Sequence, residues 1–147
     1  MSYAPFEKTI LINATPAVVW QALTSPKLMQ QWMSEMPFEI MTTWEVGSSF
    51  SITGPWYKSK FENHGKVLQF VPEQVLSYSH LSSLSRLPFT DENFCIISFR
   101  LAPENDGTSL SLTVSNFPTE AIYRHLVFYW NVAMELLRKF VEQKMLG

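Results

Sequence analysis

The chain has 147 residues, a formal net charge of −2 and a single cysteine, Cys95. That length suits one domain, residues 1–147, around one core. A lone cysteine excludes an intrachain disulfide and the multi-cysteine zinc signatures, and a weakly acidic chain without a Lys/Arg cluster offers no footprint for nucleic acid.

Phe6, Ile10 and Ile12 alternate along FEKTILIN and predict a first strand. The N-terminal MSYAPFEKT lacks a charged-then-apolar leader pattern, and no apolar run approaches the roughly 20 residues of a membrane span. A cytoplasmic protein without a membrane partner is the expectation.

Next comes TPAVVWQALTSPKLMQQW. Thr15 caps and Pro16 opens a short helix, because proline lacks only an N–H that would be unpaired there. Pro26 disfavours helical geometry at Ser25, so that helix stops near Thr24 and a second starts at Ser25-Pro26. Trp20 reads as core, and Trp32 as the boundary between core and pocket.

From Pro37 to Phe117 the pattern is that of strands. PFEIM, SSFSIT and residues 58 to 71 are three candidates. In VLSYSH, Leu76, Tyr78 and His80 share a face. In FCIISFRL, Cys95, Ile97, Phe99 and Leu101 do, and in SLSLTVSN, Leu110, Leu112, Val114 and Asn116 do. Alternation with period two fits an antiparallel sheet with one wet side. Gly54-Pro55, Pro72-Glu73 and Asn105-Asp106-Gly107 read as turns. From Thr119 to about residue 145, Ile122, Leu126, Trp130, Ala133, Leu137 and Phe140 recur at helical spacing and predict one long helix. Phe128, Val132 and Leu136 form a second apolar ridge on it, a candidate homodimer patch if uncovered. The predicted class is α+β: a curved antiparallel sheet of about seven strands around a C-terminal helix.

Residues Thr15 to Pro26, with Trp32, resemble the opening signature of the homologues of the activator of the heat-shock-protein-ninety ATPase, within the START-related, helix-grip (SRPBCC) superfamily. Gly47 with Phe50 resembles that family's glycine pair, with Ser48 in place of the second glycine. Gly65-Lys66-Val67, Pro72 and Leu76 resemble another segment. Trp130 and Leu137 resemble its last helix, with Tyr129 where glycine is usual. The resemblance implies a helix-grip fold enclosing a deep cavity between sheet and final helix. It also implies a choice of roles: carriage of a small apolar molecule, polyketide cyclase or aromatase chemistry, or regulation of a heat-shock ATPase.

Aromatic residues make up 14% of the chain, including 5 Trp, beside 7 Met. Such side chains suit an apolar pocket as well as a core. Trp32, Trp44, Phe50, Trp56, Tyr78, His80, Asn116, Trp130 and Met134 are the candidate pocket wall and mouth. His80, Asn116 and Tyr78 would orient a ligand's polar atoms, with Trp44 and Trp56 at the mouth. The expected partner is a small apolar or aromatic molecule. No catalytic residue is assigned, because no carboxylate has a readable link to His80. His64, Glu62 and His125 have no metal-ligand spacing, no phosphate loop or other cofactor motif is present, and Cys95 reads as a buried, inert thiol.

Overall fold

The computed structural model describes residues 3–145. Strand β1 (Phe6–Ile12) leads to α1 (Pro16–Thr24) and α2 (Pro26–Trp32). Six strands follow: β2 (Glu39–Thr42), β3 (Ser49–Trp56), β4 (Ser59–Val71), β5 (Val75–Ser82), β6 (Cys95–Glu104) and β7 (Gly107–Ser115). Helix α3 (Glu120–Phe140) closes the chain, its last turn widening to π geometry over Val141–Met145. All pairings are antiparallel, in one seven-stranded sheet of order β1-β7-β6-β5-β4-β3-β2. This is the predicted α+β helix-grip architecture.

The helix break is built as its residues dictate. The Thr15 hydroxyl accepts from the Val18 N–H at 3.4 Å, and the Ser25 hydroxyl from the Leu28 N–H at 3.4 Å. In an unbroken helix the N–H at position 26 would bond the Ala22 carbonyl; proline has none. The Trp32 indole takes its place, donating from Nε1 to the Ala22 carbonyl at 2.9 Å. Trp44 Nε1 donates to the Thr24 carbonyl at 2.8 Å. Two tryptophans thus satisfy carbonyls that the corner would orphan.

Behind the corner runs a train of rings. Trp20 meets Phe70 at 5.2 Å between centroids, Phe70 meets Trp44 at 5.6 Å, Trp44 meets Phe50 at 5.4 Å, and Phe50 stacks on Tyr78 at 4.3 Å. Met134, Leu137 and Phe140, in the C-terminal half of α3, are buried in the same core. Lys8 Nζ donates to the Asn131 carbonyl at 3.1 Å, and the Asn13 N–H to Glu142 Oε2 at 2.8 Å, so α3 is tied to β1 and the segment after it.

Gly65 marks a close approach of two strands. A Cβ there would stand 1.7 Å from the Ser79 carbonyl oxygen of β5, so only glycine fits. Two turn readings shift. Gly54 and Pro55 lie inside β3, beyond the end of β2, where a missing N–H costs no ladder bond on that side. The β6–β7 loop is Asn105-Asp106, with Asn105 at φ 55°, and Gly107 opens β7 opposite Glu104.

Trp32→Phe should lower the unfolding free energy by about 1–3 kcal/mol, the cost of an unpaired buried carbonyl. Trp20→Phe, which trims a ring of equal size, should cost less. Urea denaturation of both variants checks the difference.

Candidate functional site

The N-terminal half of α3 does not meet the sheet in solid packing. Between them lies a cavity of about 840 Å³. Its sheet wall is Ile52 and Trp56 of β3, Phe61 and Asn63 of β4, Tyr78, His80 and Leu81 of β5, and Cys95 and Ile97 of β6. Its helix wall is Ile122, His125, Leu126, Tyr129 and Trp130. Met36, Trp56, Tyr57 and Leu84 line it while exposed to solvent, which places the mouth between the α2–β2 link, the β3–β4 hairpin and the turn Ser83–Ser85.

The wall is apolar with a few polar points. No Asp, Glu, Lys or Arg lines it among the described residues. His80 is half-buried in the wall, and desolvation there, reinforced by the nearby His125, pushes its imidazole down to about 4. At neutral pH it therefore carries one N–H donor and one bare acceptor nitrogen. Burial raises the Tyr78 phenol, with a smaller contribution from Tyr129, and lifts the Cys95 thiol to about 12, so neither is a ready nucleophile. Tyr129, whose phenol is likewise raised by burial, donates its hydroxyl to the Met33 carbonyl at 2.7 Å, pinning α3 to the end of α2 beside the cavity.

Of the nine candidates, four line the cavity: Trp56, Tyr78, His80 and Trp130. Five do not. Trp32 is committed to the Ala22 carbonyl. Trp44 and Phe50 stand behind Tyr78 in the ring train, so Trp44 is not at the mouth. Met134 is one turn beyond Trp130, where α3 already packs against solid core. Asn116 is turned outward by a φ of 61° and donates its amide to the Phe94 carbonyl at 2.7 Å. Trp56 itself ends β3 instead of lying in a loop. Asn63 was not among the candidates. The only hint at it was an amide midway along a strand, two residues from Phe61.

His64 Nε2 approaches Glu62 Oε2 at 3.4 Å, and among the described residues no group of three or more His, Cys, Asp or Glu could hold a metal ion. No described helix is long and apolar enough to cross a membrane. Phe128, Val132 and Leu136 remain 72, 47 and 43% exposed among the described residues.

A curved antiparallel sheet gripping a long C-terminal helix, with a cavity between them, is the helix-grip architecture of the SRPBCC superfamily. The chain belongs to the family of Activator of Hsp90 ATPase homolog 1-like proteins, whose model matches residues 13–142. No curated protein sequence matches it. It is similar to the solution structure of ChR145 from Cytophaga hutchinsonii, with 29% identity, a TM-score of 0.84, and 100% of this chain and 99% of that one covered. It shares the fold of the Aha1 dimer from Colwellia psychrerythraea at 22% identity and TM-score 0.74, over 96% of this chain and 98% of that one. CalU16 from Micromonospora echinospora has the same fold at 20% identity and TM-score 0.70, over 97% of this chain and 78% of that one.

An unfolded histidine takes up its proton near 6.5, whereas folded His80 waits until about 4. Between those values acid stabilises only the unfolded chain, so the His80 contribution is complete above about pH 6.5 and is lost as pH falls through 4. The loss should reach roughly 3 kcal/mol. His80→Leu should flatten the profile over that window, as read by urea denaturation at stepped pH.

Proposed function

We propose that this protein binds a small apolar or aromatic molecule in the cavity between its sheet and α3. The observation that carries this reading is the cavity itself: about 840 Å³, in the range of sites for drug-sized ligands, with an apolar wall and no Asp, Glu, Lys or Arg among the described lining residues. Binding works by burial. Removing about 300 Å² of apolar ligand surface from water contributes on the order of 7 kcal/mol before association costs.

The neutral dye N-phenyl-1-naphthylamine should brighten on titration with the protein. Leu126→Trp, which fills the helix wall, should weaken uptake at least about tenfold, while Phe128→Glu on the outer face should leave it unchanged. Uptake that is absent, or equal in wild type and Leu126→Trp, contradicts the reading.

We also propose a homodimer through the exposed ridge of Phe128, Val132 and Leu136, a reading that the dimeric Aha1 structure of the same fold supports. Sedimentation should give twice the chain mass for the wild type and the single chain mass for Phe128→Glu. A wild-type monomer at high concentration contradicts it.

A further inference from the structure

Two buried polar atoms of cavity-lining residues have no hydrogen-bond partner among the described residues: Asn63 Oδ1 on β4 and Trp130 Nε1 on α3. Such atoms are rare, because leaving one unpaired costs about as much as a lost hydrogen bond. Elsewhere this chain pairs such groups: the Trp32 and Trp44 indoles both find carbonyls. Trp130 is 2% exposed, wedged between the Phe99 ring at 5.6 Å and the Tyr129 ring at 5.0 Å. The residues that carry the two unpaired atoms therefore stand one on each wall of the same cavity.

Their chemistry constrains what can satisfy them. An indole N–H only donates, so it calls for an acceptor oxygen. A carboxamide has one accepting and one donating end, and a hydroxyl can serve either. Charge is constrained too. An anion or cation held here would leave water with no Lys, Arg, Asp or Glu in the described wall to pair with it, at a cost of several kcal/mol. A long-chain carboxylate or a phosphate ester does not suit such a site.

Resting on the cavity reading above, we propose that the ligand is an uncharged ring compound. It carries a hydroxyl that pairs with the Asn63 amide and a separate carbonyl or ether oxygen that accepts from Trp130 Nε1. Asn63 and Trp130 are then the residues that set specificity, and the aromatic and aliphatic wall supplies affinity.

Matched ligands separate the two contacts. 2-Naphthol and 2-methylnaphthalene differ by hydroxyl against methyl; 2-acetylnaphthalene and 2-isopropenylnaphthalene differ by carbonyl against methylene. Dissociation constants for all four would be measured by calorimetry on wild type, Asn63→Leu and Trp130→Phe. The preference for 2-naphthol over its methyl analogue should fall about tenfold in Asn63→Leu and stay unchanged in Trp130→Phe. The preference for the ketone over the alkene should fall about tenfold in Trp130→Phe alone. Taking ratios cancels the differing hydration of the ligands and any general loosening of the cavity. On the wild type, 2-naphthoate should bind at least tenfold more weakly than 2-acetylnaphthalene, an arm that needs no variant to fold. Ratios that do not move, or naphthoate binding as tight as the ketone, overturn this assignment while leaving the cavity reading intact. Failure of all four neutral ligands to bind wild type overturns both.

Discussion

One missing hydrogen bond organises the molecule. Pro26 cannot donate to the Ala22 carbonyl, and the Trp32 indole does so instead at 2.9 Å. That exchange turns one helix into two around a corner, and the second indole, Trp44, fixes the loop after β2 against the same corner. From Trp44 the ring train runs through Phe50 to Tyr78. One end of the curved sheet is therefore filled with large, interlocked side chains, and the C-terminal half of α3 lies against them. The other half of α3 spans a sheet that has curved away from it. The solid end holds the walls of the open end in place.

This division explains which site residues were legible in the sequence. Alternation assigned the inward faces of β1, β5, β6 and β7 correctly, and Tyr78, His80 and Cys95 do face inward. The helix stripe likewise put Leu126 and Trp130 on the inner side of α3. Periodicity says which face a residue takes; it does not say how far along the sheet the packing stops. Phe50 and Tyr78 share the inner surface, yet one is core and the other wall, because Tyr78 is the ring at which the train ends and the cavity begins. Met134 and Trp130 differ in the same way, one helical turn apart.

Other residues escaped for local reasons. Trp32 and Trp44 were read by size, but their roles lie in a single N–H each, directed at carbonyls more than eight positions away in sequence. Asn116 kept the period of β7 only on paper, since the left-handed backbone at that residue turns it out of the sheet. Asn63 sits in β4, where polar and charged residues blur the alternation, and nothing short of its buried, unpaired oxygen distinguishes it. Family membership covers residues 13–142 and carries the fold. The chemistry of the cavity wall rests on this chain's own side chains, with no Asp, Glu, Lys or Arg among the described lining residues.

The claim on which the account turns is that the space under the N-terminal half of α3 receives ligand while the rest of the interior stays closed. Methyl NMR of the wild type titrated with 2-acetylnaphthalene reads both halves at once. Methyls of Ile52, Ile97, Ile122 and Met33 should shift, and those of Ile10, Ile12, Met29 and Met134 should not. Shifts spread evenly over both sets, or confined to Val132 and Leu136 on the outer ridge, would contradict it.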